Sequence, residues 1–189
     1  PCAASLWSAA TALLETWPRL ADRLYYEGGS FGGGMGALML PWDARYRRAV
    51  LVVPTFGNHP VRLECPCVGS GESVRRWHRG HPEVTEVLPY YDAATAAKRI
   101  RIPVLCAPAL FDPAVPPPGQ FSVANALAGP KRLFVFSAGH HDHPSLLPEQ
   151  AAFARMTREW LDPEREPWTE PPGPHAIILG RADGATESR

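Results

Sequence analysis

The stretch Arg23-Leu24-Tyr25-Tyr26-Glu27-Gly28-Gly29-Ser30-Phe31-Gly32-Gly33-Gly34, running on through Met35–Leu40, decides how the whole chain is read. It begins as a short strand-like run and ends as a helix-like one. Between them stands Gly28-Gly29-Ser30-Phe31-Gly32, a G-x-S-x-G pentapeptide. A serine in such a strand-to-helix turn is held on sharply bent, strained backbone that lifts its hydroxyl clear of the main chain. Gly28 and Gly32 are expected because neighbouring backbone would come too close for side chains. The amide of Phe31, opening the helix, is placed to donate to an oxygen that becomes negatively charged. The alternatives are an ordinary Gly-rich turn or a phosphate loop. Neither G-x-x-x-x-G-K-[ST] nor G-x-G-x-x-G fits the serine region, because no lysine follows and the acidic ribose partner is missing.

Outward from this stretch, strands and helices alternate. Residues 3–17 carry Leu6, Ala10, Leu13, Leu14 and Trp17 on one helical stripe, ended by Pro18. Arg48–Val53 is a continuous apolar run stopped by Pro54, the pattern of a strand buried on both faces of a parallel sheet. Residues 54–81 have no clear period and read as a long excursion, a lid or rim. The pattern turns helical again from Pro82, and Asp92 stands where an N-cap should precede an Ala-rich helix over 93–100. Ile102–Ala107 and Lys131–Phe136 are the third and fourth strands, with a helix over about 119–128 between them. A last helix over about 148–161 shows Phe153, Met156, Trp160 and Leu161 on one side. The alternation predicts an α/β fold with a parallel sheet.

Two further residues complete a chemical set. A serine hydroxyl is a poor nucleophile near neutral pH and needs a base, which in turn needs a carboxylate to fix its tautomer. Asp112 follows the third strand and His140 the fourth, so Ser30, Asp112 and His140 occur in the chain order of a nucleophile-elbow hydrolase. Both lie at strand carboxyl ends, where open α/β sheets build their sites. His140, His141, Asp142 and His143 also invite a metal reading. Adjacent imidazoles on extended chain point to opposite sides, and the spacing misses H-E-x-x-H, so no metal is expected and His141 and His143 read as rim residues. His59, His78 and His81 default to surface or packing roles, and Tyr25, Trp77, Tyr90 and Tyr91 to core packing. Cys65-Pro-Cys67 is too short for a C-x-x-C motif, leaving Cys2, Cys65, Cys67 and Cys106 as small hydrophobes or loop thiols.

Composition bounds the rest. Over 189 residues, 19 Lys+Arg offset 19 Asp+Glu, and zero net charge argues against a nucleic-acid partner. No apolar run approaches the roughly 20 residues of a membrane span, and no signal peptide is visible, so a soluble, cytoplasmic, membrane-free domain is expected. The chain begins at Pro1, with residues that already read as domain interior. That suggests a fragment: 1–161 as the C-terminal part of a catalytic domain, and 162–189 as a Pro-rich, irregular tail.

These residues resemble the acetyl xylan esterase/cephalosporin C deacetylase family of α/β-hydrolases. The likeness runs from Asp22-Arg23 through Gly28–Gly34 to Trp160-Leu161, about three quarters of the chain. It includes Tyr91-Asp92 with Ala96-Ala97, Pro103-Val104-Leu105, Leu110-Phe111-Asp112 with Pro116-Pro117, Ala128-Gly129-Pro130-Lys131, and Gly139-His140. The resemblance implies a partial α/β-hydrolase fold and a serine esterase acting on acetyl or short-chain acyl esters of carbohydrates or related alcohols. It implies Ser30 as nucleophile, Asp112 as orienting acid, His140 as base, and the Phe31 amide as an oxyanion donor. It implies no metal or organic cofactor, a small acylated substrate, and a homo-oligomer for the full-length protein. Phe31 stands where the family commonly has Gln, and His141 where it commonly has Glu. The early strands of the fold, which would bring the second oxyanion donor, have no room before Ser30. The alternatives are another α/β-hydrolase, dienelactone-hydrolase-like or peptidase-like, or a truncated domain without a working site.

Overall fold

Six short strands, all in parallel pairings, carry the fold in a computed structural model that describes residues 2–167. The strands are β1 (Tyr25–Gly29), β2 (Arg48–Val52), β3 (Val104–Ala107), β4 (Ala109–Phe111), β5 (Lys131–Leu133) and β6 (Phe136–Ala138). The main sheet has the order β1-β2-β3-β5, and β4 pairs with β6. The helices are α1 (Cys2–Thr16), α2 (Phe31–Met39), α3 (His59–Glu64), α4 (Glu72–His78), α5 (Ala93–Ala97), α6 (Pro117–Ala126) and α7 (Leu146–Leu161). Parallel neighbours need crossovers. α2 supplies the first, α3 to α5 the second and α6 the third.

The apolar runs behave as two-faced strands. Ala49 and Leu51 of β2, with Val104 and Cys106 of β3, pack on one side against residues of α1, α2, α5 and α6. Val50, Leu105 and Ala107 point to the other side, against Trp160, Phe153 and Met156 of α7. The sheet is therefore sandwiched between helical layers, and an alternating pattern would have been wrong for it. Burial pushes the Cys106 thiol up to about 12, which keeps it protonated and inert.

The third and fourth strands are each interrupted. Pro108 cannot donate to a ladder, so β3 stops before it. Its carbonyl still accepts from Phe136 N at 2.9 Å, and pairing resumes with Ala109↔Phe136 and Phe111↔Ala138. The aperiodic stretch 54–81 folds into α3 and α4, two helices of 6 and 7 residues that are too short to show a stripe. Residues 82–91 form two 3-10 helices. Asp92 caps α5 as expected, accepting from Thr95 N at 2.8 Å, and its other oxygen accepts from His59 N at 2.7 Å.

The start of the proposed tail is ordered by Arg48. Its Nη1 donates to the carbonyls of Trp160 and Asp162, both at 2.8 Å, and its Nη2 to that of Arg165 at 2.6 Å. Carbonyls left unpaired at the end of α7 are satisfied in this way. The remainder of that tail, 168–189, lies outside the described residues. Among the described residues no helix is long and apolar enough to cross a membrane.

Candidate active site

Ser30 sits between the last residue of β1 and the first of α2, with φ 53° and ψ −116°. That backbone is sparsely populated for any residue with a Cβ and persists only where its surroundings hold it. They do so here through three main-chain bonds. Ser30 N donates to Val52 O at 2.9 Å, while Ser30 O accepts from Gly34 N at 3.1 Å and Thr55 N at 3.2 Å. The turn is thereby fastened to β2 and to the loop after it.

The glycines of the motif divide unequally. A Cβ at Gly28 would lie 2.8 Å from the Gly32 carbonyl, as expected, but one at Gly32 would meet nothing closer than 3.9 Å. The tight approaches lie further along α2, where a Cβ at Gly34 would strike the Thr55 carbonyl and one at Gly36 the Tyr26 ring. Tyr26 explains this closeness. Its hydroxyl, kept protonated by burial that pushes its pKa up to about 12, donates to Gly32 O at 2.6 Å. The ring thus pins the first turn of α2 against β1.

Asp112 and His140 come together. His140 Nδ1 is 2.9 Å from Asp112 Oδ2 and 3.1 Å from Oδ1; the Asp112 side chain is fully buried, the His140 side chain 33% exposed. Gly139 makes the approach possible. A Cβ there would run into Asp112 Oδ2, and its other neighbour is Val53 Cγ1 at 3.0 Å. Gly139 N donates to Phe111 O at 2.8 Å, and Val53 N to Ala107 O at 2.8 Å. Val53 in turn follows Val52, the residue that holds Ser30 N. Ser30 therefore follows the carboxyl end of β1, Asp112 that of β4 and His140 that of β6, with β2 lying between β1 and β3; the bond recorded among the three side chains is that of Asp112 with His140. Val53 and His140 both have positive φ, 38° and 47°, so the site concentrates unusual backbone.

Phe31 opens α2, so its N–H has no acceptor within the helix. Its ring, 44% exposed, stands edge-on to Phe56 at 5.5 Å. Beside it opens a cleft of about 760 Å³, walled by Met35, Phe56, His59, Trp77 and Tyr91 among others. Trp77, Tyr90 and Tyr91 are thus exposed cleft residues rather than core, a placement that the irregular spacing of 54–91 hid. His59 is buried, and desolvation pulls its imidazole below the usual histidine range. His81 stacks on Trp77 at 3.8 Å.

The histidines after His140 separate. His141 meets the edge of Phe111 at 5.3 Å, whereas the His143 side chain is only 12% exposed and lies 3.8 Å from Glu149 Oε2. His143 is therefore inside the loop rather than on its rim. Two buried polar side chains escaped the sequence reading. Glu149 accepts from Ser137 N at 3.0 Å and from Ser137 Oγ, tying α7 to β6 next to His140. Gln120 of α6, fully buried, donates to Asp112 Oδ2 at 3.0 Å.

Residues 18–157 match the model of the acetyl xylan esterase (AXE1) family. The chain belongs to the acetyl xylan esterase family. Its structure overlays on the acetyl xylan esterase from Paenibacillus sp. R4 with a TM-score of 0.61 and 29% identity, covering 71% of this chain and 45% of that one. The acetyl esterase Axe7A of Xylanibacter ruminicola is 25% identical over 118 residues, 62% of this chain and 27% of that protein. The acylaminoacyl peptidase of Pyrococcus horikoshii, at 16% identity, TM-score 0.65 and 87% of this chain against 28% of that one, shares the fold. This acetyl xylan esterase family member thus has the α/β-hydrolase fold, and it spans about half the length, or less, of the relatives it matches.

Proposed function

We propose that the chain carries the nucleophile, acid and base of a serine esterase that hydrolyses acetyl or other short-chain acyl esters of carbohydrates or related alcohols. The observation that carries this reading is the Asp112–His140 bond, formed at the same sheet end as a serine on strained strand-to-helix backbone. Membership of the acetyl xylan esterase family supports the choice of ester over amide.

In this reading Ser30 Oγ attacks the ester carbonyl while His140, through its nitrogen remote from Asp112, takes the hydroxyl proton. Asp112 holds the other nitrogen as N–H and stabilises the imidazolium. The Phe31 amide donates to the oxyanion of the tetrahedral intermediate. Collapse expels the alcohol, which receives the proton from His140 and leaves an acetyl-Ser30. Water, deprotonated by His140, then attacks the acyl carbon and releases acetate and free Ser30. No step calls on the Phe31 side chain, so its presence in place of glutamine is compatible with the reading. The exposed aromatics of the cleft beside Phe31 offer flat faces to the alcohol portion of the substrate.

The test is a fluorophosphonate probe followed by peptide mass spectrometry. The expected result is one adduct, on Ser30, together with faster hydrolysis of p-nitrophenyl acetate than of longer acyl esters. No adduct on protein whose circular dichroism is that of the folded chain rejects the proposal and leaves a non-catalytic domain, and an adduct elsewhere rejects Ser30 as the nucleophile. Turnover that prefers long acyl chains would shift the reading to another α/β-hydrolase.

A further inference from the structure

Asp112 makes more bonds than orientation of one histidine requires. Its Oδ1 accepts from Ala114 N at 2.8 Å and Val115 N at 2.9 Å, the usual main-chain support of a carboxylate in a tight turn. Its Oδ2, the oxygen nearer His140, accepts also from Gln120 Nε2 at 3.0 Å. Gln120 has no exposure to solvent, and nothing about a lone Gln in Pro116-Pro117-Pro118-Gly119-Gln120 marks it out in the sequence.

The orientation of the Gln120 amide is determined by its partners. Oε1 accepts from Ala109 N at 2.8 Å, and Nε2 donates to Val115 O at 2.6 Å as well as to Asp112 Oδ2. Turning the group over would set its oxygen against a carbonyl and a carboxylate and its nitrogen against an N–H, so only one orientation is stable. One side chain therefore joins the start of β4, the loop carrying the acid, and the acid itself.

We infer that Gln120 is a positioning residue for the acid–base pair: its amide N–H fixes the Asp112 carboxylate against His140 Nδ1 and disperses its charge onto a fixed donor. A carboxylate held this way keeps its plane turned toward the imidazole N–H. The Ala109 and Val115 bonds keep that donor in place. This inference rests on the serine-esterase reading above and adds to it a residue that never touches substrate.

Two substitutions separate positioning from mere support. Q120E keeps the volume and the acceptor for Ala109 N but sets a second carboxyl group against Asp112, so that the pair shares one proton in place of the fixed amide N–H. Q120M keeps the volume and loses all three bonds. The readouts are the rate of Ser30 phosphonylation and the downfield proton NMR signal of the His140 Nδ1–H, assigned by histidine nitrogen labelling. Both variants are expected to label about tenfold more slowly or worse, the range seen when partners of other positioned histidines are removed. Their Nδ1–H signal should move upfield or be lost to exchange. Q120M with the parent's rate and signal overturns the inference, as does slower labelling of both variants with the signal unmoved. Should either variant fail to fold, the parent protein decides: the Gln120 amide protons must shift as His140 is protonated, and a flat response overturns the inference. Failure of the parent itself to label at Ser30 would instead reject the esterase reading, so the two failures are distinct.

Discussion

Ser30→Gly is expected to abolish ester turnover and phosphonate labelling while making the protein more stable. The activity loss is the larger effect, roughly 10⁶ by analogy with nucleophile removal in serine proteases. The stability gain follows from φ 53° and ψ −116°, a conformation that costs a residue with a Cβ about 1–3 kcal/mol and glycine almost nothing. Glycine also adds freedom to the unfolded chain, which returns roughly 0.5–1 kcal/mol of that gain. A net stabilisation of about 1 kcal/mol remains, equivalent to roughly 2–4 °C in melting temperature for a domain of this size. Ser30→Ala is the comparison. It removes the same hydroxyl but keeps the Cβ, so it should lose activity without the rise in melting temperature. Equal melting curves for the two variants would mean that the turn stores no strain at Ser30.

Asp112→Asn should lower the phosphonylation rate by about 10⁴, the size found when the acid of a serine-protease triad becomes an amide. Here the direction of the new side chain is dictated locally. Ala114 N and Val115 N both donate to Oδ1, so the asparagine must keep its oxygen there. Its NH₂ then faces His140 Nδ1 and Gln120 Nε2, two positions that in the parent protein share one acceptor oxygen. The donor against His140 disfavours the tautomer with its proton on Nδ1, which keeps as acceptor only Oδ1, at 3.1 Å and already shared by two amides. The donor against Gln120 leaves two N–H groups facing each other in a fully buried place. The measurement is the labelling rate near neutral pH on protein with the parent's circular dichroism. A loss smaller than tenfold would show that His140 finds its tautomer without Asp112.

Much of this could be read from the chain because several signals agreed. Gly28-Gly29-Ser30-Phe31-Gly32 between a strand-like and a helix-like run, and two uniformly apolar runs at 48–53 and 102–107, imply a parallel sheet with its chemistry at one end. Asp92 was legible as a cap because short polar side chains before an Ala-rich run have few other roles. The division among the glycines was not, since Gly34 and Gly36 are demanded by Thr55 and by the Tyr26 ring, partners distant in sequence or in the preceding strand. Gln120 and Glu149 were missed for a related reason. A polar residue on a helix ordinarily faces water, and only three-dimensional neighbours reveal that these two are buried and paired. The exposed aromatics around 77–91 went unrecognised because elements of four to seven residues are too brief to display a period.

The interruption at Pro108 has a mechanical consequence. Asp112 and His140 both hang from the β4–β6 ribbon, each one or two residues beyond the Phe111↔Ala138 pair. Ser30 hangs from β1 and is clasped by β2. The strand pair that carries Ser30 thus meets the strands leading to Asp112 and His140 where β2 pairs with β3, in register from Ala49↔Val104 through Val52↔Ala107. A change of register along that pairing would move Ser30 relative to both Asp112 and His140 at once, and α7 opposes it by packing on Val50 of β2 and Leu105 of β3 together.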